Sequence, residues 1–325
     1  MPHHTIPKPF RSSRARLLAV LGAAILAVPA AACGDDGESL AAHAEPATDA
    51  RPAAEAESAA ETEPAAEATS VLEVVSHDFS FELSSERLTA GMVRLSLRND
   101  GTEAHQLSLA RLHDGVTVEE LADELHADEL GAYDLVDFAG GVNPIDPGRS
   151  GTVQAELEPG RYAVLCFVPS PDDGVSHVHK GMVAEIEVVA DGASAADVGE
   201  EAPPDVVGEA VLSDFAIAPP PGGFGEAGTY RFTNQGQEPH EAVFLRLDDG
   251  ASMADLIAYQ EAGGRGDPPF TFEGGPAAVA PGGTVYAQLD FEPGSWLAVC
   301  AIRGEHTDVP HLEMGMLLPF EVAPA

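Results

Sequence analysis

The sequence predicts an all-β protein made of two tandem Greek-key β-sandwiches, each with one short inserted helix. Short segments alternate apolar and polar residues, which is the period of a half-buried strand. Clusters of glycine and proline separate these segments, as turns between strands require. The whole series then occurs a second time, so we expect two copies of one domain.

The first copy begins with three predicted strand segments. Val71–Leu83 alternates apolar and polar residues throughout, which predicts one long strand. Val93–Leu97 and His105–Leu112 alternate as well, and the turn Asn99-Asp-Gly101 lies between them. Because Asn and Gly favour tight turns, this pattern predicts a β-hairpin. The second copy repeats it in Tyr230–Thr233, Asn234–Gly236 and Ala242–Leu247.

A short amphipathic helix and three further strands follow in each copy. The apolar residues at helical spacing are Val118, Leu121 and Leu125, and then Met253, Leu256, Ile257 and Tyr259. The predicted strands are Thr152–Leu157, Arg161–Val168 and Met182–Val189, and then Thr284–Phe291, Ser295–Ile302 and Met316–Val322.

Composition divides the chain into five segments. Residues 33–69 and 191–206 are rich in Ala, Glu, Pro and Asp and have few large apolar side chains, so they cannot bury enough surface to offset ordering. We expect the first to be a disordered tether and the second to be an interdomain linker. The other segments are a signal peptide at 1–32 and the two sandwiches at 70–190 and 207–325.

The N-terminus indicates export. Basic residues precede the apolar run Leu17–Val28, which is too short to span a bilayer and is typical of a signal peptide. The small residues before Cys33 resemble a bacterial lipoprotein signal, in which that Cys becomes lipidated. The alternative is ordinary cleavage at an Ala-rich site. Lipidation of Cys33 predicts a cell-envelope lipoprotein that contacts the membrane through its lipid anchor only. Ordinary cleavage predicts a secreted protein.

The chain is strongly acidic, with 54 Asp and Glu residues against 16 Lys and Arg and a formal net charge of −38. Such a charge excludes nucleic acid and anionic lipid as electrostatic partners. It fits either a partner protein with a basic docking face or life in high salt, where self-repulsion is screened.

One set of metal-ligating residue types occurs twice at nearly the same spacing. The first set is Asn99-x-Gly101-x3-His105 followed by Cys166-x10-His177-x4-Met182. The second set is Asn234-x-Gly236-x3-His240 followed by Cys300-x10-His311-x4-Met316. Two His, one Cys and one Met form the ligand set of a type 1 copper site, a trigonal His2Cys plane with a weak axial Met. Because chance would not repeat the spacing, the sequence predicts a metal site in each copy.

The segments from Asn99 to Met182 and from Asn234 to Met316 resemble the cupredoxin family of plastocyanin-like and azurin-like blue copper proteins. The resemblance implies one type 1 copper per domain, up to two in the chain. It implies that Asn99 and Asn234 hold the ligand loop together through hydrogen bonds. The implied copper ligands are His105, Cys166, His177 and Met182 in the first copy, and His240, Cys300, His311 and Met316 in the second.

Alternatives exist for two of these ligands and for the thiols. His179 gives a Cys-x12-His spacing, but the second copy has Glu313 there, which favours His177. Met314 competes with Met316, and the repeat favours Met316. The two site cysteines of an exported protein could also form a disulfide. Such a bridge would require the two sites to meet.

The predicted function is transfer of single electrons outside the cytoplasm, to or from a redox partner protein. We expect no enzyme, because copper oxidases and nitrite reductases need additional His ligands, typically one beside the Cys. Cys166 and Cys300 have no His neighbour in the sequence. The alternatives are a copper carrier, which would bind Cu(I) through Cys and Met, and a metal-free binding module on the same fold. A two-domain oxidase or nitrite reductase is the remaining alternative.

Overall fold

The computed structural model describes residues 70–190, 203–262, 264–304, 307 and 309–324. The predicted signal peptide, Cys33, the tether and most of the linker lie outside these residues. Among the residues that are described, no helix is long and apolar enough to cross a membrane. The domain boundaries stay predictions.

The first sandwich consists of two facing sheets. Its strands are β1 (Val71–His77), β2 (Ser80–Leu83), β3 (Arg87–Thr89), β4 (Gly91–Asn99), β5 (His105–Leu112), β6 (Val136–Ile145), β7 (Ser150–Leu157), β8 (Gly160–Leu165) and β9 (Val183–Val189). One sheet has the order β7-β4-β1-β2 and the other β3-β9-β8-β5-β6. Leu and Val side chains at alternate positions fill the space between them.

Two short helices, rather than the one expected, connect β5 to β6. Helix α1 (Val118–Ala127) begins with a capping box in which Thr117 and Glu120 bond each other's backbone, and it buries Leu121 and Leu125. Helix α2 (Glu129–Tyr133) follows at once. The backbone bond from Asp128 closes α1, and the same residue starts α2, so one predicted helix becomes two.

The second sandwich repeats this arrangement. Its elements are β10 (Gly208–Ser213), β11 (Ala216–Ala218), β12 (Gly228–Asn234), β13 (Val243–Leu247), α3 (Met253–Glu261), β14 (Phe270–Phe272), β15 (Thr284–Leu289), β16 (Gly294–Val299) and β17 (Leu317–Val322). One sheet has the order β11-β10-β12-β15 and the other β14-β13-β16-β17. The all-β fold of two tandem sandwiches is therefore confirmed.

The two sandwiches share one continuous sheet. Strands β7 and β15 pair antiparallel, with Ala155 opposite Val285 and Thr152 opposite Gln288, which joins eight strands across both halves. Beside this seam, β6 makes backbone hydrogen bonds to the segment 272–280 of the second sandwich. Nothing local in the sequence predicts this seam, since it depends on which strand edges face each other.

Two local predictions are wrong. The stretch Val71–Leu83 is a hairpin and not one strand, because Asp78 and Phe79 form a two-residue turn between β1 and β2. A two-residue turn leaves the alternation of apolar and polar residues unbroken, so the sequence pattern does not reveal the turn. The predicted hairpin around Asn99-Asp-Gly101 is also absent: β4 and β5 lie in opposite sheets, and the turn carries the chain across the sandwich.

Candidate metal centres

Each site combines a residue near the start of one strand with residues from a later loop. His105 opens β5, Cys166 directly follows β8, and Met182 directly precedes β9. His177 begins a 3-10 turn, His177–Lys180. The second sandwich places Cys300, His311 and Met316 in matching positions, and it places His240 three residues before β13, in an isolated bridge to Val279. All eight residues are completely buried.

In both sandwiches the two His and the Cys converge on one point. The Nδ1 atoms of His105 and His177 are 3.1 Å apart, and Cys166 Sγ lies 4.0 Å and 3.4 Å from them, respectively. In the second site the two His Nδ1 atoms are also 3.1 Å apart, and Cys300 Sγ lies 3.5 Å from His311 Nδ1. In each group the three ligand atoms lie within 4.8 Å of one another.

The Met of each quartet is buried and tied to the same loop. Met182 packs in one apolar cluster with Cys166, and its N–H donates to the His177 carbonyl at 3.0 Å. In the second site the Met316 N–H donates to the His311 carbonyl at 2.9 Å. The axial role of either Met stays a prediction.

A carboxylate contacts the outer nitrogen of every His in the two groups. The pairs, with their Nε2–O distances, are Asp78–His105 (3.2 Å), Glu103–His177 (2.8 Å), Asp214–His240 (3.0 Å) and Glu238–His311 (3.0 Å). An ionised carboxylate can only accept a hydrogen bond, so each Nε2 carries the proton. Each Nδ1 therefore directs a lone pair into the group, and the ring orientation is fixed.

This donor set fits a copper ion. Two Nδ1 lone pairs face each other at 3.1 Å in each site, and such a contact is repulsive unless a cation lies between them. Imidazole and thiolate together are the ligands that suit copper in both oxidation states. The residues present would therefore hold the ion by the Nδ1 and Sγ atoms that converge in each group.

The surrounding groups set the protonation of the first site. Burial lowers the pKa of His105 and of His177, and their hydrogen bonds to carboxylates oppose this only in part. Burial raises the pKa of the Cys166 thiol to about 12. At neutral pH the metal-free site thus holds two neutral imidazoles and one protonated thiol.

Copper binding at the first site is expected to release about one proton per ion at pH 7, because the thiol ionises and the imidazoles have no proton to lose. The Cys300→Ser variant, which keeps only the first group intact, allows the measurement with a pH indicator in weak buffer. Release of two or three protons per copper would contradict the assigned protonation. The Cys166→Ser, Cys300→Ser double variant is the control.

The two predicted Asn residues close the loop that carries the first His. Asn99 Nδ2 donates to the carbonyls of Glu103 (2.8 Å) and Ile145 (2.9 Å), and its Oδ1 accepts from the Gly101 N–H at 2.9 Å. Asn234 makes the same three bonds in the second sandwich, to Glu238, Val279 and Gly236.

Gly101 and Gly236 leave room for the ligand pair beneath them. A Cβ at Gly101 would lie 2.6 Å from both Asp78 Oδ1 and His105 Nε2. A Cβ at Gly236 would lie 2.4 Å from Asp214 Oδ1 and 2.5 Å from His240 Nε2. The glycine of each Asn-x-Gly motif is thus required by the His–carboxylate pair beneath it.

An aromatic ring covers the second His of each site. Phe79 and Phe215 are the non-glycine residues with positive φ in the described part of the chain, at 66° and 65°. Their rings meet His177 and His311 edge-on, with centroids 5.2 Å and 5.5 Å apart. Each Phe directly follows the Asp whose carboxylate contacts the first His of its site, in the same hairpin turn. Strained backbone of this kind persists where the surrounding structure enforces it.

Sequence reasoning missed these carboxylates and phenylalanines, although a signal for them exists. Asp-Phe occurs at the same place in both repeats, at Asp78-Phe79 and Asp214-Phe215. A Glu stands two residues before the first His in both repeats, at Glu103 and Glu238. The abundance of acidic residues hid this repetition.

The competing residues lie elsewhere. His179 Nε2 is 3.1 Å from the Leu125 carbonyl of α1, outside the converging group. Met314 is partly exposed, and its Sδ accepts a bond from the Thr307 hydroxyl at 3.5 Å. Cys166 and Cys300 are free thiols.

The two sites differ in the residue that follows the first His. It is Gln106 in the first site and Glu241 in the second, and both side chains are buried. Glu241 Oε1 accepts from the Ala301 N–H at 3.1 Å, directly after Cys300. Burial raises the pKa of Glu241 to about 7. The second site therefore has a carboxyl group bonded beside Cys300, whereas the corresponding residue of the first site is an amide.

No family model matches the sequence, and no curated protein matches it. Among solved structures, a reduced auracyanin from Roseiflexus castenholzii matches 38% of this chain and 99% of its own at 17% identity, with a TM-score of 0.28. A blue copper oxidase from Nitrosomonas europaea matches 78% of this chain and 85% of its own at 14% identity, with a TM-score of 0.23. A copper nitrite reductase from the same organism matches 78% of this chain and 93% of its own at 13% identity, with a TM-score of 0.21. At these identities the likeness concerns the fold alone.

The expectation that the protein is not an enzyme is wrong. It rested on the missing His beside each Cys. The solved structures that match 78% of the chain are copper enzymes by name, and the chain contains two His–Cys–His groups. The absence of a His beside each Cys does not by itself exclude catalysis.

The fold and the donor atoms together define what the chain can bind. Each of its two β-sandwiches offers one group of imidazole and thiol donors that suits copper, which gives up to two copper sites among the described residues. Each site is built around a buried His–Cys–His group.

Proposed function

We propose that the protein transfers single electrons outside the cytoplasm through two type 1 copper sites. The copper supplies the one-electron redox change when it is bound. The observation that carries the proposal is the ligand group itself, which occurs twice, fully buried and with every imidazole fixed by a carboxylate. Ligands held in this way need not rearrange when the charge of the ion changes.

The same burial weighs against a copper carrier. A carrier must release its ion readily, whereas all eight predicted ligands are completely buried. Release would require opening of the loop that Asn99 or Asn234 closes by three hydrogen bonds. We therefore favour an electron-transfer protein, in which copper stays bound, over a copper carrier.

We extend the proposal to a redox partner protein with a basic docking face. The net charge of −38 would attract such a partner and speed its association at low salt. Nucleic acid is not a partner in this account, because its phosphates would be repelled.

Electron exchange is expected to depend on the partner's charge and on salt. The copper-loaded mature protein is mixed in a stopped-flow instrument with a basic one-electron protein of the cytochrome c type and, as a control, with an acidic redox protein. We expect faster exchange with the basic protein and a steep fall in its rate between low and physiological ionic strength. A salt-independent rate, or a preference for the acidic protein, would contradict the docking proposal.

The same preparation is then supplied with excess reductant and either oxygen or nitrite. Steady consumption of either molecule would identify a small-molecule acceptor and replace the partner-protein proposal with catalysis. Absence of consumption, together with fast exchange, supports the partner protein.

We also propose a lipid anchor on Cys33 and a location in the cell envelope. The basic, apolar and small-residue segments around residues 8–33 support this. Detergent phase separation of the expressed protein tests the anchor. The wild type should enter the detergent phase and Cys33→Ala should not; equal partitioning of both into water would disprove it.

A further inference from the structure

Two phenylalanine rings of the first sandwich lead from Cys166 toward the second sandwich. Phe167 directly follows Cys166, and its ring centroid lies 6.4 Å from that of Phe138 on β6. Phe138 is buried at the seam between the two halves. The ring of Tyr133 packs edge-on against Phe138, with centroids 5.1 Å apart.

One peptide group connects Phe138 to the second site. The N–H of Ala280 donates to the Phe138 carbonyl at 2.9 Å. The carbonyl of Val279, in the same peptide group, accepts from the His240 N–H at 3.1 Å and from Asn234 Nδ2 at 2.8 Å. A single peptide unit thus bridges the backbone of Phe138 and a predicted copper ligand.

The hydroxyl of Tyr133 stays protonated beside this path. Burial raises the pKa of the Tyr133 hydroxyl, and the nearby charge of Glu129 raises it further.

The mirror-image path is incomplete. By the repeat, Phe272 corresponds to Phe138, and its carbonyl accepts from the Asp146 N–H at the longer distance of 3.4 Å. The residue after Cys300 is Ala301, which has no ring to correspond to Phe167. Among the described residues, the repeat therefore gives one aromatic connection between the two sites rather than two.

We propose that Phe138 is a relay residue for electron transfer between the two copper sites, from Cys166 through Phe167 and Phe138 to the Val279–Ala280 peptide and His240. This inference rests on the proposed function. One electron leaves the first site, which is oxidised, and arrives at the second, which is reduced; the reverse transfer uses the same groups. No bond forms or breaks and no proton moves, and the Tyr133 hydroxyl keeps its proton.

The test compares two relay variants with a matched control. Phe138→Leu and Phe167→Leu remove a ring from the path, and Phe272→Leu removes the equivalent ring from the incomplete path. Fully oxidised two-copper protein is mixed with a ruthenium photosensitiser and a sacrificial amine donor, and a light flash then transfers less than one electron per chain from the amine to the protein. Samples frozen at intervals then give EPR spectra, which the Cys166→Ser and Cys300→Ser variants assign to the two sites.

We expect Phe138→Leu and Phe167→Leu to slow the redistribution between sites about tenfold, because each interrupts a chain of packed groups. Phe272→Leu should leave the rate within about twofold of the wild type. Copper content, the reduction potential of each site and the Cu(II)–Cu(II) separation by pulsed EPR should match the wild type in all three variants.

Several results would overturn the relay. They are an unchanged redistribution rate in both relay variants, an equally slowed redistribution in Phe272→Leu, or no redistribution in the wild type. In each of these cases exchange with an external redox protein would still support the proposed function. If Phe138→Leu fails to fold, Phe167→Leu decides, since Phe167 is only partly buried. A wild type that binds no copper would overturn both proposals at once.

Discussion

Replacing Cys166 or Cys300 with Ser is expected to remove one of the two intense visible absorption bands and leave the other. The band of a type 1 site arises from charge transfer between the thiolate and Cu(II), and a Ser hydroxyl cannot supply it. Each Cys is completely buried and lies next to its own pair of His residues. We therefore expect each variant to lose about half of the wild-type intensity and to bind close to one tightly held copper.

The two Cys variants control each other, because each leaves the opposite site intact. Visible absorbance and metal analysis of the same samples give intensity and stoichiometry together. The double variant should be colourless. If either single variant kept the full wild-type band, the Cys it lacks would not be a copper ligand.

Gly141→Ala is expected to destabilise the first sandwich strongly. A Cβ at this position would lie 2.0 Å from the backbone carbonyl oxygen of Leu107, and the φ of 129° is one that an L-residue rarely adopts. The β5 strand carrying Leu107 begins at His105, so it cannot move aside without displacing a predicted copper ligand. We expect the free energy of unfolding to fall by roughly 3 kcal/mol or more.

Chemical denaturation of the metal-free protein measures this effect. Gly275→Ala is the equivalent change in the second sandwich, where the Cβ would lie 2.1 Å from the Ala242 carbonyl oxygen. Gly148→Ala separates the steric contact from the unfavourable φ, since Gly148 has a φ of 79° but no atom within 4 Å of the added Cβ. This variant should lower the free energy of unfolding by about 1 kcal/mol. Equal losses at Gly141 and Gly148 would show that the contact with Leu107 is unimportant.

The repeated quartets explain why so much of the site could be predicted from the sequence. A strand register fixes which residues face inward, so a His at the start of one strand and a Cys at the end of another meet whenever the sandwich forms. The final strands of each copy also lie within a few residues of their predicted bounds. For His105, Cys166 and His177, local spacing and the fold class together were enough to predict the cluster.

The parts that could not be predicted depend on contacts between distant segments. Alternation is the same in one long strand and in a two-residue hairpin, which is why the turn at Asp78-Phe79 was missed. A tight turn can join strands of one sheet or of two, which is why β4 and β5 were wrongly paired. The β7–β15 seam has no local signature at all.

This seam matters for the proposed electron transfer, because it makes the two predicted copper sites parts of one structure. The hydrogen bond between Phe138 and Ala280 exists only because β6 lies beside the second sandwich. A long linker between independent domains would give no fixed path. The difference between Gln106 and Glu241 further makes the two sites chemically unequal.

The most direct test of the central claim is the copper content and visible and EPR spectrum of the mature wild-type protein loaded with Cu(II). The two buried His–Cys–His groups predict close to two coppers per chain, an intense thiolate-to-copper band, and the narrow copper hyperfine splitting typical of type 1 sites. A colourless protein that binds no copper, or binds it only with the spectrum of a nitrogen- and oxygen-ligated ion, would contradict the account.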